Sequence, residues 1–266
     1  LFVIDGFIVG TDFNLSNLNV NDIESIEVLK DASSLAIYGT RGAAGVILIS
    51  TKSGLSTQEG KVDVSINHYS SSQIVYNYPE MASIGVWAEY WNEGVTYTDT
   101  DYGTNDPSLA DNAVHAPNWQ SIVPTDWRGL ITRNGRIDNT DVNISGNSGK
   151  ANYFISYNRF AQEGIIKSSG LERNSLRANF DLNVSDNIRT GIRMAITDRK
   201  QEHNKVGFGA VYYDLLPTMS VYKDDGSYNG ENPVSGSILR NPVHDVNHRI
   251  DHSFVTNILA NAYVEF

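Results

Sequence analysis

The feature that most constrains this chain is an alternation of apolar and polar residues with a period of two. Successive side chains of a β-strand point to opposite faces, so such a stretch predicts a strand with one apolar and one polar face. The clearest example, at 172–185, sets Leu176, Ala178, Phe180, Leu182 and Val184 against Ser175, Arg177, Asn179, Asp181 and Asn183. Shorter or less regular versions predict further strands at about 61–72, 139–146, 151–160, 188–200 and 252–266.

The connections between these six predicted strands differ widely in length. Tight turns are predicted at 146–149 and 186–187, about ten residues separate the third and fourth strands, and long excursions follow the first and the fifth. Outer-membrane barrels combine short turns at one end with long loops at the other. A soluble β-sandwich also alternates, but it rarely places all its long loops at one end. The pattern therefore favours a membrane barrel, with the sandwich as the alternative.

Composition excludes several classes of protein. Of the 266 residues 40% are hydrophobic and 19% charged, which argues against disorder. The 31 acidic and 20 basic residues give a net charge of −11, which argues against a nucleic-acid partner. With no cysteine the chain has no disulfide, no Cys-ligated zinc and no thiol catalysis. No apolar run approaches the roughly 18–20 residues of a membrane-spanning helix.

Residues 1–54 have a different character and are predicted to form a small α+β unit. Its predicted elements are a strand at 2–4, a helical turn beginning near 21, a strand at 26–29, a helix at 32–38 and a strand at 46–51. Asn21 with Glu24 fits a capping box for the helical turn, and Asp31 is placed to cap the helix that Gly39 closes.

Two stretches of this unit carry a resemblance to a known family. VIDG at 3–6 and NDIESIEVLKDASSLAIYGTRGAAGVILISTKSG at 21–54 closely resemble the plug domain of the SusC/RagA-like TonB-dependent outer-membrane transporters. The resemblance continues through TDW at 125–127, NISG at 143–146, the stretch 152–184 and NPV at 241–243. The residues that match the plug motif, for which a structural or docking role is expected, are Asp5, Gly6, Glu24, Glu27, Lys30, Asp31, Tyr38, Gly39, Arg41, Gly42 and Gly45.

The resemblance implies a mainly β fold, with part of an α+β plug domain followed by a partial transmembrane antiparallel β-barrel. We expect residues 1–54 to be the C-terminal part of the plug, 55–60 a linker, and 61–266 the first barrel strands with their extracellular loops. About six strands are predicted, whereas plugged transporters of this kind have about 22. Six strands cannot close around a plug, so a partial chain is expected.

The same resemblance implies a function and a set of partners. It implies active import of an oligosaccharide or oligopeptide across the bacterial outer membrane, driven by the TonB–ExbB–ExbD complex and assisted by a SusD-like lipoprotein lid. Outer-membrane lipid would surround the barrel. Two alternatives stay open: an outer-membrane receptor that reports ligand binding inward, and a soluble β-rich adhesin or binding module. Sequence upstream of Leu1 would discriminate the first, and extraction without detergent would support the second.

Two groups of residues are candidates for specific contacts. The resemblance implies that plug arginines face acidic residues of the barrel wall, and Arg41 is the candidate; a solvated loop arginine is the equal alternative. The excursion 73–139 holds all four tryptophans, and aromatic faces suit sugar rings or peptide side chains. Trp119, Tyr97 and Tyr102 are therefore candidate substrate contacts, against the alternative that they serve packing.

No cofactor, metal or catalytic site is expected. The glycines at 39, 42 and 45 follow a predicted helix and precede a strand, the reverse of a dinucleotide fingerprint. His244, His248 and His252 are spaced at four, but the residues between them do not indicate an amphipathic helix that would gather them around a metal. No G-x-S-x-G, H-E-x-x-H or P-loop motif is present, so the chain is not predicted to be an enzyme.

Overall fold

The computed structural model describes residues 1–9, 13–31, 35–77, 80–90, 123–204, 206, 215–230 and 238–266. Within these residues the protein consists of a small N-terminal unit, a large antiparallel sheet and a group of packed loops. None of the described helices is both long enough and apolar enough to cross a membrane.

The N-terminal unit is built on a four-stranded sheet. Its strands are β1 (Phe2–Ile4), β2 (Phe7–Val9), β3 (Ile23–Leu29) and β4 (Val46–Thr51), in the order β2-β1-β4-β3. Strand β4 runs parallel to β1 and antiparallel to β3. Short 3-10 helices lie at Leu15–Asn17, Val20–Asp22 and Ala36–Gly42.

One local prediction for this unit, the capping box of Asn21 and Glu24, is wrong. The helical turn at Val20–Asp22 is capped by Asn19, not Asn21, and Glu24 lies in β3 because that strand pairs with β4 from Ile23 onward. Tertiary strand pairing of this kind overrides a local capping pattern.

The predicted helix at 32–38 is described only in its last part, because residues 32–34 lie outside the described part of the chain. The segment Ala36–Gly42 consists of two short 3-10 helices that meet at Gly39, the residue predicted to close the helix. Gly39 adopts a φ of 56° at this junction, so the glycine permits the kink between the two helices.

The large sheet contains all six predicted strands, which are confirmed. They are β5 (Lys61–Gln73), β6 (Gly135–Asn147), β7 (Ala151–Glu163), β8 (Gly170–Ser185), β9 (Ile188–Glu202) and β10 (His252–Glu265). Each strand pairs antiparallel with its neighbour in sequence, giving the order β10-β9-β8-β7-β6-β5. The tight connections β6–β7 and β8–β9 lie at one end of the sheet, here called the short-turn end, and the other connections lie at the long-loop end.

The two faces of this sheet have opposite chemistry. The inner face meets the N-terminal unit and is polar: on β8, Arg177 and Asn179 are buried there, with Asn179 fully inaccessible. The outer face is apolar and open, with Leu176 and Phe180 of the same strand 43% and 46% exposed. A water-soluble sheet normally buries its apolar face, so this arrangement is inverted.

The strand register aligns the outer apolar residues into rows that cross the sheet. One row is Ile66, Val142, Tyr157, Leu176, Ile196 and Ile258, and the next is Val64, Ile144, Ile155, Ala178, Met194 and Ala260. A third row is Val62, Gly146, Tyr153, Phe180, Ile192 and Ala262. A partial fourth row contains Ala151, Leu182 and Val264. Rows are two residues apart, roughly 7 Å along a strand, so the four rows extend over roughly 21 Å of strand length.

Loops at the long-loop end pack around their own small core. Helix α1 (Trp127–Ile131) and helix α2 (Pro242–His248) contribute to a buried cluster of Trp127, Ile131, Val206, Leu215, Met219, Val243 and Val246. The Trp127 indole N–H donates to the Leu216 carbonyl at 3.1 Å.

Helix α2 contradicts the expectation that no helix runs through this histidine-containing stretch. Its N-terminus is fixed by the Asn241 side chain, which accepts from the backbone N–H groups of Val243 and His244, with Pro242 in the first turn. The His244 and His248 rings stack with centroids 4.9 Å apart. Among the residues described above, however, no group of three or more His, Cys, Asp or Glu residues is placed to hold a metal ion.

Candidate functional site: the docking interface

The N-terminal unit lies against the inner face of β6–β10, and the contacts between them form what we call the docking interface. Most of these contacts are polar. The principal apolar contribution from the sheet is Leu259 of β10, which packs on the small core of the N-terminal unit formed by Ile4, Val9, Leu18 and Ile49.

Arg177 of β8 is the charged centre of the interface. Its guanidinium lies 3.4 Å from the Asp5 carboxylate and 3.3 Å from the Asp22 carboxylate, and it is 3.3 Å from the Thr51 hydroxyl. The Arg177 side chain is only 5% exposed. One buried cation of the sheet therefore joins two carboxylates that are 17 residues apart in the N-terminal unit.

Local backbone geometry fixes Asp5 in place for this contact. Asp5 and Gly6 connect β1 to β2 and both have positive φ, 49° and 82°, as a type I′ hairpin turn requires. The Asp5 carboxylate accepts from both the backbone N–H and the hydroxyl of Thr51, each at 2.8 Å. The Asp-Gly pair is thus needed for the turn, and the aspartate also supplies the acceptor that meets Arg177.

A second buried carboxylate, Asp141 of β6, is surrounded by amides instead of cations. Its oxygens accept from the side-chain N–H groups of Asn19 at 2.8 Å and Asn21 at 2.6 Å in the N-terminal unit. Asn139 and Asn158 of the sheet donate to it at 2.8 and 2.9 Å. Asp141 is fully buried, and these four donors satisfy both of its oxygens.

Asp22 lies between these two centres. The Asn19 side-chain NH2 group donates to Asp141 at 2.8 Å and to Asp22 at 3.1 Å, so it bridges the two carboxylates. Burial raises the pKa of Asp22 above its usual value of 3.8, and the charge of Asp141 adds to this rise. Hydrogen bonding by Ser156 and the charge and hydrogen bond of Arg177 oppose it, and burial is the larger effect.

Further contacts reach main-chain carbonyl groups of the N-terminal unit. Arg173 donates to the carbonyls of Ser16 and Leu18 at 2.6 and 3.1 Å. The Thr197 hydroxyl donates to the Asn17 carbonyl at 3.1 Å, and Asn179 donates to the Lys52 carbonyl at 2.7 Å. These bonds depend on the position of the backbone and not on side-chain identity in the N-terminal unit.

The chemistry of this interface suits a contact that can be broken and remade. Carboxylates, amides and carbonyls can exchange their protein partners for water, whereas separating two apolar surfaces of the same size exposes them at a full hydrophobic cost. The interface therefore holds the N-terminal unit in one orientation, and water can replace its contacts when the unit separates from the sheet.

The structure distributes the sequence-predicted motif residues over several environments. Asp5 and Gly6 form the turn at the docking interface, whereas Glu24, Glu27, Lys30 and Asp31 are exposed along and after β3. Tyr38 is half-buried and packs near Gly42, and Gly45 follows with a φ of 99°. The candidate substrate contacts Tyr97, Tyr102 and Trp119 lie outside the described residues.

Arg41 is exposed and belongs to none of the ion pairs formed within the described part of the chain. Its predicted docking role stays a prediction. The arginine that pairs with carboxylates at the docking interface lies on the other partner: Arg177 belongs to the sheet, and the carboxylates that it meets belong to the N-terminal unit.

Sequence reasoning missed Arg177, Asp22 and Asp141 as interface residues. The alternation placed Arg177 and Asp141 on polar strand faces, which was a usable signal. Nothing in the local sequence distinguished them from other polar residues on those faces, because their partners lie more than 100 residues away.

Comparison with known proteins agrees with this arrangement. The TonB-dependent Receptor Plug Domain family matches residues 1–46. TonB-dependent receptor P26 of Formosa agariphila is 41% identical over 267 residues, which cover all of this chain and 26% of that protein. TonB-dependent receptor SusC of Bacteroides thetaiotaomicron is 28% identical over 240 residues, covering 86% of this chain and 22% of SusC.

The chain is therefore similar, over most or all of its length, to the SusC/RagA-like TonB-dependent receptors. It spans about a quarter of the length of the curated relatives it matches. A solved structure of the RagAB peptide transporter shares the fold, with a TM-score of 0.74 at 19% identity over 98% of this chain and 32% of that chain. In SusC/RagA-like terms the N-terminal unit is plug domain and the six-stranded sheet is barrel wall, so the predicted fold class is confirmed.

Proposed function

We propose that this chain is the plug-and-wall part of a transporter that imports an oligosaccharide or oligopeptide across the bacterial outer membrane by TonB-dependent active transport. The observation that carries the proposal is the inverted sheet. Its apolar rows face outward, where lipid would lie, and its polar inner face holds a plug. A soluble adhesin would gain nothing from exposing three rows of apolar side chains.

The docking interface supports an active mechanism in particular. A plug that is remodelled during each transport cycle needs contacts that hold it in a defined orientation and that water can replace. The Arg177 centre and the amide-lined Asp141 centre meet that requirement, since both consist of hydrogen bonds and ion pairs. The energy to break them would come from the TonB–ExbB–ExbD complex.

The proposed partners follow from the relatives. A SusD-like lipoprotein would close over the long-loop end, where the packed loops around α1 and α2 offer a preformed surface. Trp119, Tyr97 and Tyr102 remain the proposed substrate contacts, and Arg41 remains a proposed docking contact of the plug. RagAB is described as a peptide transporter, which makes oligopeptides one of the two substrate classes to test first.

The test is uptake in the native bacterium. Deleting the gene of the complete receptor should abolish accumulation of a labelled oligosaccharide pool or a labelled oligopeptide pool, and deleting tonB should abolish the same uptake. The complete receptor restored on a plasmid should recover it. Unchanged uptake of both pools after deletion of the receptor gene would contradict the proposal, and the pool that is lost identifies the substrate class.

A further inference from the structure

The outer face of the sheet changes from apolar to polar between two adjacent rows. The row containing Tyr157 and Leu176 is apolar on every strand, as described above. The next row toward the long-loop end is polar on every strand: His68, Thr140, Arg159, Asn174, Asp198 and Thr256. Such a boundary marks the level at which the hydrocarbon of a bilayer gives way to its headgroups.

Most polar groups near this boundary are satisfied within the protein. In the first polar row His68 bonds the Thr140 hydroxyl at 2.9 Å and the Thr256 hydroxyl donates to Asp198 at 2.6 Å. The Tyr157 hydroxyl, one row below, donates to Asn174 at 3.1 Å.

The Arg and Lys residues of the strands that share the outer face above this boundary are Arg136, Lys200 and Arg159, and the first two are partnered. Arg136 pairs with Asp138 at 2.7 Å and Lys200 pairs with Glu202 at 3.1 Å. Arg133 donates to the carbonyls of Gly164 and Ser169.

Arg159 is the exception. It is exposed on the outer face, and it makes no hydrogen bond, ion pair or ring contact with any residue that the structure describes. Its direct neighbours across the register are Thr140 and Asn174, both uncharged. Arg159 also lines an open groove of about 430 Å³, in which three further cations, Arg133, Arg136 and Lys200, are matched by four carboxylates.

We propose that Arg159, where this groove meets the apolar band, binds the phosphate of an outer-leaflet lipid headgroup. Arginine presents a planar fork of donors that pairs with phosphate in a bidentate manner. The groove begins directly above the last apolar row, so a lipid whose chains lie on Tyr157 and Leu176 would bring its headgroup to Arg159. A lipid is favoured over soluble phosphate as the ligand because the groove adjoins the apolar band, which a soluble anion would not contact. The inference rests on the proposed outer-membrane location.

The test uses the complete receptor, purified in detergent and analysed by native mass spectrometry with added phosphatidylglycerol or phosphatidylcholine. Wild type should retain phosphatidylglycerol in preference to phosphatidylcholine, and Arg159→Gln should retain it about fivefold less, the effect expected of one basic residue near an anionic surface. Arg159→Lys should lose less than Arg159→Gln. Arg249→Gln is the matched control, since its charge lies at the same end of the sheet but outside the groove and is already paired with Asp245.

Three outcomes would overturn the proposal in distinguishable ways. Equal retention of phosphatidylglycerol by wild type and Arg159→Gln would refute the role of Arg159 while leaving the membrane location intact. Displacement of the lipid by an equal concentration of inorganic phosphate would show that the site takes a soluble anion. Failure of wild type to retain either lipid would count against the outer-membrane location itself.

Discussion

Arg177 holds two plug carboxylates at once, so its removal should have the largest effect of any single docking residue. Breaking a buried ion pair by deleting one partner costs about 3–5 kcal/mol, because the remaining charge stays buried without compensation. We expect Arg177→Ala in the complete receptor to weaken plug docking by about 3 kcal/mol. Entry of an antibiotic too large for porins should increase, because the plug then leaves the barrel more often.

The matched control for Arg177→Ala is Arg159→Ala. It removes the same group from a neighbouring strand, but on the outer face, where no plug contact is lost. Antibiotic entry should stay at the wild-type level in this variant. Equal entry in the two variants would mean that loss of any wall arginine disturbs the receptor and that Arg177 has no special docking role.

Removing the charge of Asp22, unlike removing that of Arg177, should not weaken plug docking, because the pKa of Asp22 is raised in the docked protein. A group whose pKa is higher when docked than its usual 3.8 binds its proton more tightly in the docked state. Its contribution to docking is therefore full below pH 3.8 and is lost as the pH rises through the raised pKa. Asp22→Asn never carries the charge, so this variant should dock at least as tightly as wild type at pH 7.

The measurement for Asp22 is protease sensitivity of the plug in the complete receptor as a function of pH. Other carboxylates titrate in the same range, so the informative quantity is the difference between wild type and Asp22→Asn. That difference should be small near pH 3.8 and should grow as the pH rises. Looser docking of Asp22→Asn at pH 7 would show that the attraction of Arg177 outweighs the cost of burying the charge.

At the scale of single elements, the adjacent residues Asn179 and Phe180 of β8 lie on opposite faces of the sheet, so an arginine should have different effects at the two positions. Phe180 lies in the third apolar row of the outer face, so Phe180→Arg should cost about 2–4 kcal/mol if that row faces the bilayer midplane. The measurement is the yield of folded receptor in outer-membrane preparations. A yield equal to that of wild type would contradict the lipid-facing assignment.

Its neighbour Asn179 tests the inner face. The alternation alone predicts that Asn179→Arg is nearly silent, as expected for a water-filled lumen, and the structure contradicts this. Asn179 is fully buried and donates to the Thr51 hydroxyl and the Lys52 carbonyl, so a longer side chain there would push against the plug. We now expect Asn179→Arg to leave membrane insertion intact and to loosen the plug.

The segment between β4 and β5, residues 52–60, contains a glycine that touches the wall directly. A Cβ added to Gly54 would lie 2.2 Å from the Tyr153 carbonyl oxygen, a backbone atom of β7 that cannot move aside. Gly60, in the same segment, has a similar positive φ but no atom within 4 Å of an added Cβ. Gly60→Ala should therefore cost about 1 kcal/mol, from backbone strain alone.

Gly54→Ala combines that strain with a steric clash and should be clearly more destabilising. Denaturant unfolding of the complete receptor, followed by a fluorophore on the plug, measures both costs. Equal losses in the two glycine variants would show that the 52–60 segment moves away from β7 without penalty. The connection from plug to wall would then be looser than the structure indicates.

The sequence predicted elements better than it predicted contacts, for a physical reason. A strand with one lipid-facing side must alternate along its whole length, so the six wall strands are visible in the sequence. The short 3-10 turns of the plug carry no such pattern, and strand pairing moved both the cap at Asn19 and the start of β3. The contact between Asp5 and Arg177 joins residues 172 positions apart, and no local rule selects such partners.

At the scale of the whole molecule, the edges of the large sheet decide how this chain behaves by itself. Within the described residues β5 and β10 each pair on one side only. Unpaired backbone groups at an open edge cannot be satisfied in hydrocarbon, and in water such edges pair with other chains. Residues 1–266 expressed alone should therefore not form a monomeric barrel, even though each strand pair within the sheet is complete.

Heat-modifiable migration in SDS gels distinguishes the two states of this chain. The complete receptor should run as a compact species when unheated and shift on boiling, because a closed barrel resists SDS. Residues 1–266 alone should show no such shift and should sediment as aggregates without detergent, because the apolar outer rows and two open edges are exposed together. A monomeric, detergent-free species with one cooperative melting transition would contradict this expectation and would support a self-sufficient β domain.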